Sequence, residues 1–187
     1  MRLRSQPSPK LLDMPLPSPP LIVTLKLDPI AFDFLNRLRQ QYFPSERNFL
    51  PAHVTLFHML PGEQESSIQQ TLQDICLHTP LLSVCFPNLR FLGRGVAVEV
   101  DCPELVRLQK LLAETWNLWL SPQDRQVYRP HVTIQNKVTP DAARQLYNQL
   151  IGTWESFDGY GEGLLLWRYK GGPWQLAGEF AFGLVNT

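Results

Sequence analysis

The chain has 187 residues, 44% hydrophobic and 18% charged, with 17 basic side chains balancing 17 acidic ones. This is globular composition, long enough to bury a core without disulfides or a structural metal, and it lacks the basic excess that gripping long nucleic-acid backbone requires. No apolar run is long enough to span a bilayer and no secretory signal opens the chain. Cys76, Cys85 and Cys102 are odd in number and scattered, which suits reduced thiols in a cytoplasmic protein with no membrane partner.

Residues 1–20, rich in Pro and Ser, are expected to form an extended, poorly ordered leader. Ordered patterning begins at Leu21, and a single domain is expected over residues 21–187. The segment LIVTLKL (21–27) reads as a strand. Asp28-Pro29 supplies a helix cap and a first-turn proline, and Ile30, Phe34, Leu38 and Tyr42 follow at helical spacing up to Pro44. HVTLFHML (53–60) reads as a second strand, and Ile68, Leu72, Ile75 and Cys76 mark a second amphipathic helix. LLSVCF (81–86) and the segment 89–92 read as extended.

A related order follows. GVAVEV (95–100) reads as a strand, with Asp101 and Glu104 set as a capping box around Pro103. Leu105, Leu108, Leu111, Leu112, Trp116 and Trp119 then form an apolar helical face. HVTIQNKV (131–138) reads as the next strand, Thr139-Pro140 opens a helix ending at Gly152, and LLLWRY, Gly171-Gly172 and WQLAGEFAFG predict a hairpin. The pattern strand, helix, HVT strand, helix, strands occurs twice, giving lobes of roughly 21–93 and 94–183. The C-terminal hairpin favours α+β over a parallel α/β sheet.

Two of the four histidines sit in matching contexts, Pro-Ala-His53-Val54-Thr55-Leu56 and Arg-Pro-His131-Val132-Thr133-Ile134. Along a strand, i and i+2 share a face, so each histidine projects beside its own threonine while the aliphatic residues turn away. A lone buried histidine is more often a structural group satisfied by backbone. A matched pair, one per half, points instead to a shared cleft. Two imidazoles can divide the work of general base and general acid near neutral pH, and threonine hydroxyls can donate to non-bridging phosphate oxygens. That chemistry suits a phosphate ester. No carboxylate cluster recurs beside the histidines, so neither metal nor cofactor is expected.

The paired HxTΦ motifs (Φ apolar) resemble those of the two-histidine (2H) phosphoesterase superfamily, in its LigT-like, 2′-5′ RNA ligase-like branch. The resemblance implies a two-lobed, pseudo-symmetric α+β fold, with two antiparallel sheets flanking a central cleft and helices outside. It implies His53 and His131 as acid and base, with Thr55 and Thr133 on the phosphate. It also implies metal-independent action on 2′,3′-cyclic phosphates, related cyclic nucleotides or RNA ends. The alternatives are 2′-5′ RNA ligation, or a nucleotide- or RNA-binding module that keeps the cleft without turnover. A monomer without an obligate protein partner is expected.

Strand parity adds Phe57, Gln135 and Lys137 as candidate cleft contacts, and Tyr128 and Arg129 precede the second motif. By the same parity His58 falls on the face opposite His53. His78 sits at a helix end, and Trp116 and Trp119 belong to the helical stripe. Branch members acting as ligases often carry an arginine shortly after the second motif; here Gln135, Asn136 and Lys137 occupy that stretch.

Overall fold

The computed structural model describes residues 18–183; the leader expected over residues 1–20 lies outside them except for its last three positions. The elements are β1 (Leu21–Leu27), α1 (Pro29–Tyr42), β2 (Val54–Leu60), α2 (Glu65–Leu77), β3 (Leu82–Phe86), β4 (Leu89–Phe91), β5 (Val96–Glu99), α3 (Pro103–Thr115), β6 (His131–Gln135), α4 (Pro140–Ile151), β7 (Phe157–Arg168) and β8 (Gln175–Ala181). The duplicated order of strands and helices is the one expected from sequence.

The strands form a single eight-stranded sheet in the order β3-β7-β1-β2-β6-β5-β4, with β8 on the same edge of β7 as β3. Every pairing is antiparallel. This corrects the expectation of two sheets flanking a cleft. The motif strands β2 and β6 pair with each other at Val54 and Val132, which joins the two halves into one curved half-barrel. Both valines are fully buried, in one core running from Leu21 to Phe182.

Local chemistry explains some boundaries and tertiary approach explains others. Asp28 Oδ1 accepts hydrogen bonds from the Ile30 and Ala31 amides at 3.0 and 3.1 Å, while its Oδ2 accepts from Tyr160 N at 2.7 Å. One carboxylate thus caps α1 and ties it to β7. The buried face of α1 is Ala31, Leu35 and Arg39, one residue out of phase with the expected stripe; Ile30 is 84% exposed. At α3 the N-cap is Cys102 and no side chain caps the helix, so the capping box expected from Asp101 is absent. Strand β7 begins at Phe157, seven residues before the segment that sequence reads as extended. Its first half, FDGYGEG, hides from propensity because glycine disfavours strands. The glycines are demanded by close approach: a Cβ on Gly163 would lie 2.4 Å from the Phe180 carbonyl oxygen, and one on Gly159 would lie 2.7 Å from Ala31 Cβ.

Candidate active site

The single β2–β6 register determines the site. In an antiparallel pair centred on Val54 and Val132, His53 stands opposite Thr133 and Thr55 opposite His131. All four neighbours of the paired valines turn to the other face of the sheet. They meet there: His53, Thr55, His131 and Thr133 line one cavity of about 300 Å³, together with His58, Met59, Tyr169 and Trp174. All four motif side chains are half-buried.

The two imidazoles are held identically. His53 Nδ1 lies 2.7 Å from the Pro51 carbonyl oxygen and His131 Nδ1 lies 2.9 Å from that of Arg129, in each case two residues upstream. A carbonyl only accepts, so Nδ1 carries the proton in both rings. Each Nε2 is left with its lone pair free when the ring is neutral. Burial pushes the His53 pKa down to about 4; the Pro51 hydrogen bond opposes the fall, and the charges of Arg39, His58 and His131 add to it. His131 is lowered in the same direction and for the same leading reason.

Helix α1 fixes the loop that carries the first motif. Asn36 Oδ1 accepts from Ala52 N at 2.9 Å. Arg39, 5% exposed, donates from Nε to Asn48 Oδ1 (2.9 Å) and the Leu50 carbonyl (3.0 Å), and from Nη1 to the Thr133 carbonyl (2.6 Å). One guanidinium therefore binds the approach to His53 and the backbone beneath Thr133. Sequence reading missed Arg39 because it looks like a surface residue beside the apolar stripe; only the phase shift of α1 places it inside.

Parity fails at the same offset in both motif strands. The β1–β2 register slips between Thr55 and Phe57 and again before Leu60, and the β5–β6 register slips between Thr133 and Gln135. These are β-bulges, each turning the following side chains to the other face. Phe57 and Gln135, expected in the cleft, are instead buried: Phe57 packs edge-on against Trp116 at 5.1 Å, and Gln135 is 8% exposed. His58 and Asn136, their successors, face a cavity instead. Lys137 is also corrected. It is exposed with φ 62° and lines none of the cavities around the motifs; its carbonyl accepts from Arg47 Nη1 at 3.3 Å. Tyr128 and Arg129 do flank the site, in an adjoining cavity of about 370 Å³ that shares Thr55, His58, His131 and Thr133 with the first.

On the other side of His53 opens an apolar cavity of about 450 Å³ walled by Phe32, Phe49, Pro51, Trp167 and Trp174. The Trp174 ring lies 4.8 Å from the His53 ring. Trp174 also escaped sequence reading, because a tryptophan in an expected hairpin carries no sign of the distant strand it covers.

Comparison with known proteins agrees with this fold. The fold resembles the crystal structure of TT0787 of Thermus thermophilus (TM-score 0.65, 14% identity, covering 89% of this chain and 99% of that one). It also resembles E. coli LigT in structures complexed with NADP+ (TM-score 0.62, 16% identity, 90% and 99% covered) and with 3′-AMP (TM-score 0.59, 15% identity, 88% and 98% covered). A search of curated protein sequences returns no match. The sequence profile of the 2′-5′ RNA ligase superfamily matches residues 27–173, a span that contains both HxTΦ strands and the whole of β7. With the two motifs paired across one sheet, the chain belongs to the 2′-5′ RNA ligase superfamily, and its activity is of the two-histidine phosphoesterase and ligase type.

Proposed function

We propose that the protein is a metal-independent phosphodiesterase that opens 2′,3′-cyclic phosphates of nucleotides or RNA ends, with His53 and His131 as the acid–base pair. The observation that carries the proposal is the Val54–Val132 register, which faces two imidazoles and two threonine hydroxyls across one cavity. A phosphate seated between them has an Nε2 on each side, as displacement at phosphorus needs. One imidazole takes a proton from the attacking water and the other, as imidazolium, gives one to the departing ribose oxygen. The P–O bond to that oxygen breaks as the bond to water forms, leaving a phosphomonoester. Thr55 and Thr133 donate to the non-bridging oxygens as negative charge builds. The apolar cavity beside His53 suits a nucleobase, with Trp174 placed to stack on it. The nucleotides held by E. coli LigT in its solved structures support a nucleotide ligand here.

The test is a panel of 2′,3′-cyclic nucleotides assayed with chelator present. Turnover to the monoester is expected with chelator and is expected to be lost in the His53→Ala and His131→Ala proteins. Turnover that vanishes with chelator, or survives both substitutions, would contradict the mechanism. Tight nucleotide binding without turnover would favour the binding module instead. Trp174→Ala is expected to raise KM for a purine substrate about tenfold with a smaller change in kcat, because stacking on an aromatic ring contributes roughly 1–3 kcal/mol per base. Steady-state kinetics on purine and pyrimidine substrates measures this directly.

A further inference from the structure

A third histidine faces the cavity, and it is anchored unlike the other two. His58 is 45% exposed in its side chain and lines both polar cavities, whereas Asp124, from the loop between α3 and β6, has a fully buried side chain. Asp124 Oδ1 accepts from His58 Nδ1 at 3.0 Å and from His58 N at 2.8 Å. Its Oδ2 accepts from Met59 N at 3.1 Å and from Ser121 Oγ at 2.9 Å. In a regular strand, consecutive amides point to opposite edges. Here two consecutive amides reach one carboxylate, so Asp124 satisfies the β2 bulge and fixes the direction of the side chain that the bulge exposes.

Behind the ring stands a buried carboxylate; in front, Nε2 has no protein partner among the described residues. Asp124 keeps its charge: burial would raise its pKa, but the hydrogen bonds from His58, Ser121 and the Met59 amide outweigh burial and hold it below the usual carboxylate range. The pseudo-equivalent position in the other half is Asn136, which is neutral and whose Oδ1 is occupied by Lys137 N at 2.7 Å. The cleft is therefore symmetric in its first two residues per half and asymmetric in its third.

We propose that His58, oriented by Asp124, is a third substrate-contacting histidine, giving a hydrogen bond from Nε2 to an anionic phosphate oxygen, with Asp124 as its positioning residue. With Nδ1–H held by the buried Asp124 carboxylate, a bond from Nε2–H to an anion uses the ring with both N–H donors, and such charge-assisted bonds are the strong ones. Because only one half supplies this group, it breaks the pseudo-twofold symmetry and biases the direction in which a substrate lies between His53 and His131. The proposal deepens the phosphoesterase reading by adding a binding group to the same cleft, and it rests on that reading.

Binding of inorganic phosphate, titrated calorimetrically, tests it without requiring turnover. His58→Gln leaves Asp124 its bonds to the two amides and Ser121, so the protein is expected to fold, with thermal unfolding as the check. Phosphate affinity is expected to drop about tenfold or more, and KM for a cyclic nucleotide to rise by more than kcat falls. Asp124→Asn is expected to weaken phosphate binding by a smaller factor, and the double substitution to bind no worse than His58→Gln, the non-additivity of residues acting as a unit. Folded His58→Gln protein that binds phosphate within twofold of the parent would overturn the proposal. Independent, additive effects of the two substitutions would overturn the positioning role of Asp124. The two readings separate cleanly. Turnover that needs His53 and His131, with phosphate affinity indifferent to His58, rejects the third histidine alone. Phosphate affinity that needs His58, without turnover in the parent protein, supports the third histidine and rejects the phosphodiesterase.

Discussion

Replacing either His53 or His131 by alanine is expected to lower kcat on a 2′,3′-cyclic nucleotide by about two to four orders of magnitude, the usual contribution of one positioned general acid or base. The double replacement is expected to be little worse than the more damaging single one, since a displacement that has lost its base gains little from keeping its acid. A second, thermodynamic signature follows from burial. His53 falls to about 4 in the folded protein from an ordinary 6.5, so the unfolded chain binds a proton that the folded chain refuses throughout that window. Stability therefore falls as pH drops from about 6.5 toward 4, and is unaffected by this group above 6.5. The contribution from His53 between pH 7.5 and 5 is on the order of 1–2 kcal/mol. Urea unfolding at the two pH values should show a shallower loss in His53→Asn than in the parent protein. Equal slopes would mean that the ring is not held neutral by its surroundings. An anion in the cleft reverses the preference, so inorganic phosphate should flatten the slope of the parent protein.

The placement of the motif residues was legible in the sequence where it is written twice. The duplicated HVT strands predict a shared face for His53, Thr55, His131 and Thr133, and those four side chains do line one cavity. Strand β1, the cap at Asp28 and helix α4 were equally readable, because each is set by residues within a few positions of one another. What failed was everything that depends on tertiary contact. Strict alternation put Phe57 and Gln135 in the cleft, but a bulge reverses it, and the group that takes the displaced amides can lie far along the chain. For β2 that group is Asp124, 66 positions away from His58 and without local signature. The expected pair of sheets became one because joining depends on a single pairing between valines that look like ordinary core. The start of β7 was hidden by glycines whose reason is the neighbouring strand. Arg39 was misplaced by a one-residue error in helical phase, which periodicity alone tolerates.

Arg39→Met is expected to destabilise the protein by about 2–4 kcal/mol and to cut kcat/KM by roughly a hundredfold. The guanidinium is buried and makes three hydrogen bonds, to the Asn48 side chain and to the carbonyls of Leu50 and Thr133. It also lies 4.1 Å above the Phe43 ring. Burial lowers its pKa to about 10, which leaves it charged at neutral pH. Methionine fills much of the volume but abandons two part-buried carbonyls, each costing up to about 1–3 kcal/mol if left without a donor, while removal of the buried charge offsets part of that loss. The catalytic effect has a separate cause. Arg39 is the bond between the loop that ends at His53 and the strand that carries Thr133, so its loss lets the two motifs shift relative to each other. A displacement of about 1 Å between reacting groups is enough for a hundredfold fall in rate. Arg39→Lys separates the two effects: it keeps a cation in place but has one ammonium where three acceptors on two segments need a planar fork. It is expected to recover much of the stability measured by denaturant unfolding and little of the turnover. If Arg39→Lys instead restores both in full, the charge alone matters and the bridging geometry does not.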